Sequence, residues 1–322
     1  MVNAHCHLEL SCLRGAIPSG GGFVAFAQGM GAQRGRFDEA RRQRAIAAAD
    51  ARMRNDGVAA VGDVANGPNA FAVKERSPIR YRTFAECFGL QTVSAAAVEG
   101  LLDHAATSLT PHSTYSVPDA LFRSLCSGGD APLSIHFMES PAEESLYRGE
   151  GELAAWYAAR GWSCDFLHYG SPVERLVACV PPTRSVLLVH NCCVTQRTID
   201  RVMAHFTAPV WWCLCPGSNR YISGVRPPVE LLRANGLNLC VGTDSLASNG
   251  ALSLVDELRL LGEEIPLAER LLWATAGGAA ALGFGDELGT IARGRRPGVV
   301  LLGGVDLRTM RLLPGSRTTR LA

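Results

Sequence analysis

The stretch SVLLVHN at residues 185–191 decides the fold of this 322-residue chain. Its apolar residues follow one another without alternation and end directly at His190 and Asn191. A strand with one face in water alternates apolar and polar residues, so an unbroken apolar run favours a strand that is buried on both faces. Strands of that kind belong to parallel sheets covered by helices.

Six further runs share this composition, and longer stretches with helical periodicity separate them. The strand-like runs are 58–64, 79–88, 106–112, 132–138, 208–214 and 238–243. The predicted helices are 36–56, 117–127, 141–160, 172–179, 195–206, 226–235, 252–262 and 266–282. With the short stub that carries His5, eight β-units occur in roughly 285 residues, which is the size of a TIM-type (β/α)8 barrel. A doubly wound open sheet is the competing α/β fold, but no glycine-rich phosphate fingerprint follows the first strand.

Charge and cysteine content narrow the classes of function. The formal net charge is +1, so no overall field favours nucleic acid or an anionic membrane. No apolar run reaches the length of a membrane span, and the start does not resemble a secretory leader. The eleven cysteines are therefore expected to be mostly free thiols in a reducing cytoplasm.

Polar side chains with ligand chemistry collect where the predicted strands end. They are His5 and His7 (strand one), His112 (strand four), His136 and Glu139 (strand five), His190 (strand six) and Asp244 (strand eight). The carboxyl ends of barrel strands meet at one mouth, where barrel enzymes carry their functional residues. A single histidine at a strand end is usually a satisfied core residue, and His-x-His alone is weak evidence because alternate side chains of a strand already share a face. Together, these groups would need partners when buried, and one zinc or iron(II) ion would satisfy several of them.

The motifs resemble those of the amidohydrolase superfamily. They are His5-x-His7, His136-x-x-Glu139, His190, CPGSN at 215–219 and GTDSLASN at 242–249. They occur in the family's order across nearly the whole chain, and they look closest to the mononuclear-metal branch of deaminases and chlorohydrolases, which includes adenosine and aminodeoxyfutalosine deaminases. Binuclear members use a carbamylated lysine after strand four, whereas the only lysine here, Lys74, precedes strand three.

The resemblance implies a role for each matching residue. His5, His7, His136 and Asp244 would hold one divalent metal, zinc or alternatively iron(II); Glu139 would shuttle protons, and His190 would orient or help deprotonate the attacking water. General chemistry agrees, because a bound cation acidifies its water and Asp244 can accept the released proton. Glu139 can protonate a ring nitrogen and then the exocyclic amine, which is a poor leaving group unless it is protonated.

Four residues are expected to contact the substrate. By resemblance, His112 of PHSTYS faces it, and Asn219 and Arg220 lie in a predicted loop after strand seven. Glu86 is an acid in an apolar stretch at the end of strand three, so it either bonds the substrate or pairs with a nearby arginine. The glycine-rich segment 13–23 is expected to be a mobile substrate-covering loop, or simply a flexible one.

The domain organisation is also an expectation from the resemblance. Relatives of this type usually begin with a longer segment that forms half of a small β-domain and the first barrel strand. We therefore expect residues 1–286 to form the hydrolase barrel with its first strand largely missing, in an N-terminally truncated sequence or a genuine short variant. Residues 287–322 would be the C-terminal remnant of the small β-domain, and GTIARGRRPGVVLL at 289–302 indicates a hairpin-like β segment outside the barrel.

Three functions remain open at this point. The leading hypothesis is a metal-dependent hydrolytic deaminase of an adenine-like base or nucleoside, with aminodeoxyfutalosine as one substrate that the resemblance suggests. The second is hydrolysis of another ring C–N bond or of a C–Cl bond, and the third is a truncated, non-catalytic metal-binding remnant. A small-molecule substrate is the expected partner, without nucleic acid or membrane, and a homodimer is expected by analogy with the family.

Overall fold

Eight parallel strands form the centre of the molecule, whose computed structural model describes residues 1–91 and 96–322. The strands are β1 (Val2–Cys6), β2 (Ala60–Ala65), β3 (Arg80–Cys87), β4 (Thr107–Pro111), β5 (Leu133–Phe137), β6 (Val186–His190), β7 (Val210–Leu214) and β8 (Asn238–Val241). They form two four-stranded sheets, each in chain order. Single bridges between Ser113 and His136 and between Cys6 and Asp244 join the two sheets into a ring. The prediction of a (β/α)8 barrel is confirmed.

The first strand is present, which corrects the expectation that it is largely missing. Val2–Cys6 is buried along its whole length and pairs with β2, so that Val2 lies opposite Ala60 and Asn3 opposite Val61. Five residues suffice because β4, β5, β6 and β7 also have five residues each. His5 therefore lies inside the strand and not after it.

Helices surround the ring. They are α1 (Phe23–Gln33), α2 (Glu39–Asn55), α3 (Phe71–Lys74), α4 (Ala96–Glu99), α5 (Asp119–Ser127), α6 (Pro141–Tyr147), α7 (Gly151–Ala159), α8 (Pro172–Cys179), α9 (Gln196–His205), α10 (Pro216–Ile222), α11 (Val229–Ala234), α12 (Leu254–Leu260), α13 (Leu267–Leu272) and α14 (Gly278–Ala281). Side-chain caps begin several of them: Ser140 and Thr195 accept hydrogen bonds from the first turns of α6 and α9. Proline occupies the first turn of α6, α8 and α10, as helix N-termini favour.

Three helix predictions need correction. The segment after β7, expected to be a loop, is helix α10, which begins at Pro216. The predicted helix 141–160 is two helices, because Gly149 adopts a φ of 72° between them and Gly151, where α7 begins, adopts a φ of 82°. Helix α1 was not predicted, and it begins at the end of the expected cover segment 13–23.

A two-stranded antiparallel hairpin ends the chain, with strands β9 (Val300–Asp306) and β10 (Arg311–Arg320). A β segment was expected here, but residues 289–299 form no strand. Leu312 of β10 is buried in the main hydrophobic core, so the hairpin packs on the barrel. The division at residues 286 and 287 stays a prediction.

The structure also bears on membrane-spanning helices and on the state of the cysteines. No helix of the described residues combines the length and the hydropathy that crossing a membrane requires. All eleven cysteines lie within the described residues and are free thiols.

Candidate metal centre and active site

Four side chains converge where the two halves of the barrel meet. His5 lies in β1 and His7 just after it, His136 lies in β5, and Asp244 follows β8; one ligand atom of each lies within 4.8 Å of the others. The Nε2 atoms of His7 and His136 are 3.2 Å apart. Oδ1 of Asp244 is 3.6 Å from Nε2 of His5 and 3.4 Å from Nε2 of His7. Both seams of the barrel thus contribute to one cluster.

The cluster fits a divalent cation. His5 is fully buried, and neither of its ring nitrogens has a hydrogen-bond partner in the described residues. Buried polar atoms without partners are costly, and a cation on the imidazole lone pair would relieve that cost. Burial also lowers the pKa of His7 and His136 well below the usual range, which favours the neutral form that binds metals. Three imidazoles and one carboxylate suit zinc or iron(II).

Outer contacts orient two of these side chains. Nδ1 of His136 is 2.9 Å from the carbonyl oxygen of His112, so it donates there and leaves the Nε2 lone pair for the cluster. Oδ2 of Asp244 accepts hydrogen bonds from the hydroxyl groups of Ser218 and Ser248, both at 2.6 Å. The other oxygen of Asp244 is thereby directed toward the histidines.

Unfavourable backbone conformations mark the strand ends at this cluster. Met138, His190, Asn191 and Asp244 have φ values of 48°, 77°, 60° and 56°. For residues other than glycine such conformations cost about 1–3 kcal/mol each and occur mostly at functional sites. Four of the six such residues in the described chain lie here, after β5, β6 and β8.

Glu139 and His190 lie beside the cluster. Oε1 of Glu139 is 3.7 Å from Nε2 of His190, and Nδ2 of Asn219 donates to Nδ1 of His190 over 3.1 Å. Glu139 is 7% exposed, and its burial raises the pKa of its carboxyl well above the usual range, with the carboxyls of Asp244 and Glu143 adding to the shift. A carboxyl that holds its proton near neutral pH can act as a general acid.

Glu86, His112 and His136 form a second group of potential ligands. It does not suit a second metal, because Nδ1 of His136 already donates to a carbonyl oxygen and its Nε2 faces the first cluster. Among the described residues no arginine pairs directly with Glu86. Its Oε2 accepts from Asn66 over 2.9 Å, while its buried Oε1 has no hydrogen-bond partner there and lies 3.6 Å from Nδ1 of His136. Glu86 and His112 both line the cavity beside the cluster.

Two of the expected substrate contacts lie elsewhere. Asn219 is 2% exposed and contacts His190 instead of lining the cavity. Arg220 is exposed on helix α10 and does not line the cavity. The expectation for both rested on a loop after β7, and the helix that forms there turns successive side chains in different directions.

The cavity has a volume of about 230 Å³ and two chemically different ends. His7, His136, Glu139, His190 and Asp244 line its polar end. The opposite walls are largely aromatic and apolar: Phe23, Phe26, Met30, Phe88, Leu90, Tyr115, Trp156, Tyr157 and Trp162. Sequence reasoning missed this second end, although the spacing of Phe23, Phe26, Ala27, Met30 and Arg34 is the repeat of one helix face.

Comparison with known proteins identifies relatives of this arrangement. Residues 1–313 match the model of the Amidohydrolase family. An adenosine deaminase of Helicobacter pylori is 29% identical over 94% of this chain and 77% of its own length. A 5-methylthioadenosine/S-adenosylhomocysteine deaminase of Desulforudis audaxviator is 30% identical over 60% of this chain, but over only 43% of its own length.

Solved structures give the same result. Helicobacter pylori aminofutalosine deaminase in complex with methylthio-coformycin superposes with a TM-score of 0.81 and 28% identity, over 92% of this chain and 76% of that one. An adenosine deaminase from Xanthomonas campestris with bound zinc has a TM-score of 0.74 at 23% identity, over 97% of this chain and 73% of that one. The second likeness shows the fold alone.

Proposed function

The chain belongs to the amidohydrolase family, as a C–N hydrolase of the deaminase-like branch, and we propose that it hydrolytically deaminates an adenine-like base or nucleoside. One observation carries the proposal: the buried carboxyl of Glu139 lies on the cavity wall, beside four convergent metal-ligand side chains and 3.7 Å from His190. A purely structural metal site needs no such carboxyl next to it. Removal of an exocyclic amine needs such a carboxyl, because the nitrogen leaves as ammonia only after it has been protonated.

His5, His7, His136 and Asp244 are proposed to hold one divalent metal, with zinc as the first candidate and iron(II) as the alternative. When bound, such an ion supplies Lewis acidity that makes water a competent nucleophile near neutral pH. Asp244 is the base placed to take a proton from the attacking water. His190 accepts a hydrogen bond at Nδ1 and therefore carries its proton on Nε2, so it is placed to orient that water. Asn219 orients His190 through the hydrogen bond on Nδ1.

Glu139 is proposed to work twice. It first donates its proton to a ring nitrogen, so that the adjacent carbon accepts the attacking oxygen. The resulting carboxylate takes up a proton that the attacking water has lost and passes it to the exocyclic nitrogen, so the C–N bond breaks with release of ammonia. The second proton of the water restores the Glu139 carboxyl. The raised pKa of Glu139 supports this order, since the group must carry a proton when the substrate binds.

The cavity supports a substrate with an apolar substituent beyond the base. A purine ring placed at the polar end would leave the rest of the molecule among Phe23, Phe26, Trp156 and Trp162. Glu86 and His112 lie between the two ends and offer polar contacts to a sugar. Aminodeoxyfutalosine and 5-methylthioadenosine both fit this description, as nucleosides that carry a bulky or apolar group.

The cellular setting is part of the proposal. We retain from the sequence a cytoplasmic location, a small-molecule substrate with no nucleic-acid or membrane partner, and assembly as a homodimer. Size-exclusion chromatography with light scattering tests the last of these, and a monomer in solution would contradict it.

Ammonia release from adenosine, 5-methylthioadenosine and aminodeoxyfutalosine tests the proposed function on protein loaded with zinc or iron(II). We expect at least one of the two substituted nucleosides to be deaminated faster than adenosine. Release of chloride from a ring substrate, without ammonia from any nucleoside, would favour the alternative C–Cl hydrolase. A folded, metal-loaded protein that hydrolyses none of these compounds would favour the non-catalytic remnant.

A further inference from the structure

The turn after β5 presents Glu139 to the cavity in an unfavourable conformation. Met138, the residue before it, adopts a φ of 48°, in the left-handed region that side chains other than glycine rarely occupy. A backbone of this kind persists only where surrounding contacts hold it. The position of the Glu139 carboxyl therefore depends on whatever holds this turn.

Glu143 makes those contacts. It is fully buried in the first turn of α6, and its carboxyl faces back along the chain. Its Oε2 accepts a hydrogen bond from the backbone N–H of Met138 over 3.0 Å, and its Oε1 accepts one from the backbone N–H of Glu139 over 2.7 Å. One carboxylate thus binds two consecutive amides of the turn, and each of its oxygens has a donor.

The contacts of Glu143 differ from those of an ordinary helix cap. In the usual capping box, the acidic residue at the third helical position binds the N–H of the capping residue itself, which here is Ser140. The Ser140 amide also acts on the Glu143 carboxyl and lowers its pKa, but the two hydrogen bonds of the carboxyl go to the two residues before that cap. Ser140 supplies an ordinary cap by itself, since its hydroxyl accepts from the N–H of Ala142 over 3.2 Å. The bonds to Met138 and Glu139 therefore serve the turn in addition to the helix.

We propose that Glu143 is a positioning residue for the proton-shuttling carboxyl: it holds the Met138–Glu139 turn so that Glu139 points into the cavity beside His190. The role of Glu139 in this inference rests on the proposed function. The two hydrogen bonds from the turn to Glu143, which we call the clamp, do not depend on that function because they are contacts with the backbone. Glu143 has no contact with the cavity and is not among its lining residues.

Glu143→Gln tests the proposal, because glutamine keeps the shape but offers one acceptor oxygen for two amides. We expect kcat to fall on the order of tenfold to hundredfold, as displaced catalytic groups do, while KM and metal content stay near the wild-type values. Glu144→Gln, at the next position and without a hydrogen bond to the turn, should leave all three values unchanged. Equal losses in both variants would overturn the proposal.

Ser140→Ala separates positioning from capping. It removes the ordinary cap of α6 and leaves the two bonds of Glu143 in place, so it should lower the thermal midpoint without lowering kcat. If Ser140→Ala lost as much kcat as Glu143→Gln, loss of the helix cap alone would explain both results, and the proposal would be refuted.

Hydrogen exchange gives a readout that does not depend on activity. The amides of Met138 and Glu139 should exchange faster in Glu143→Gln than in wild type, and should keep wild-type rates in Ser140→Ala. Unchanged exchange in Glu143→Gln would overturn the clamp even if the enzyme is active. Faster exchange in a protein with no deaminase activity would leave the clamp standing and count against the proposed function.

Discussion

Two of the four proposed ligand side chains are held from the side that faces away from the others. His136 is fixed through Nδ1 by a backbone carbonyl oxygen, and Asp244 is fixed through Oδ2 by Ser218 and Ser248. Side chains held in this way lose little freedom when a cation binds, so such contacts contribute to metal affinity as well as to geometry. His5 has no such contact, and its burial in β1 is what holds it.

The serine pair on Asp244 leads to a prediction about metal affinity. Ser218→Ala and Ser248→Ala should each weaken zinc binding by about 10- to 100-fold, the usual effect of removing an outer hydrogen bond to a ligand. Competition with a chromogenic chelator measures this. Ser124→Ala, at an exposed position of α5, is the control. Wild-type affinity in both serine variants would mean that the carboxylate does not need these bonds.

Glu139 leads to a prediction about chemistry. Glu139→Gln should lower the rate of ammonia release by about 10²- to 10⁴-fold, the usual contribution of a general acid–base group. Metal content, measured by elemental analysis, should stay at the wild-type level because Glu139 is not one of the convergent ligands. Glu152→Gln, at an exposed position of α7, should change neither quantity. Undiminished activity in Glu139→Gln would refute the shuttle assignment.

At the scale of single elements, helix α1 forms one wall of the cavity. Phe23, Phe26 and Met30 line the apolar end, while Val24 is the only buried residue of the helix. Gly20 and Gly22 precede the helix with φ values of 76° and 84°, which only glycine adopts readily. The expected cover segment 13–23 thus leads into a helix, and the helix contributes the side chains that face a substrate.

Specificity for the substituent should therefore depend on α1. Phe26→Ala should raise KM for 5-methylthioadenosine by about tenfold, since lost apolar contact in a pocket costs roughly 1–3 kcal/mol. KM for adenosine, which lacks the apolar group, should change little. Gln28→Ala on the exposed face of α1 is the control. Equal changes for the two nucleosides would place the substituent away from this helix.

At the scale of the whole molecule, the two seams of the barrel coincide with the metal cluster. Single bridges close the ring at Cys6 and Asp244 and at Ser113 and His136. The backbone N–H groups of Thr243 and Asp244 both donate to the carbonyl oxygen of His5 over 3.0 Å. Closure of the barrel and placement of the ligands thus depend on the same contacts.

Gly242 tests this coupling, because a Cβ atom there would lie 2.7 Å from Cβ of His5. Gly242→Ala should lower the free energy of unfolding by about 1–3 kcal/mol, as overpacking does. It should also weaken metal binding, since His5 must move. Urea unfolding and zinc titration measure the two effects.

Gly250→Ala is the matched control for this seam variant. A Cβ atom at Gly250 would meet nothing within 4 Å, so the variant should stay within about 0.5 kcal/mol of wild type. If Gly242→Ala lost stability but kept full metal affinity, closure of the seam and assembly of the ligands would be separate events.

Much of the candidate site could be predicted from the sequence because barrel strands place their terminal residues at a common mouth. This is why His7, His136, His190, Asp244 and Glu86 converge as expected. Asn219 and Arg220 were assigned to the cavity on the assumption of a loop, and a helix beginning at Pro216 directed them elsewhere. The expectation that the first strand is largely missing came from the longer N-terminal segment of relatives, and the pairing of Val2–Cys6 with β2 corrects it.

The sequence by itself determined the alternation of strands and helices and the chemistry at the strand ends, because periodicity and strand boundaries are encoded by neighbouring residues. Only the tertiary structure decided which atoms meet. The contact of His5 with Asp244 joins the first and last strands of the barrel, which are far apart in sequence. The clamp of Glu143 on the Met138–Glu139 turn depends on backbone angles that no periodicity reports. Such contacts follow from ring closure and from burial, and both are properties of the assembled molecule.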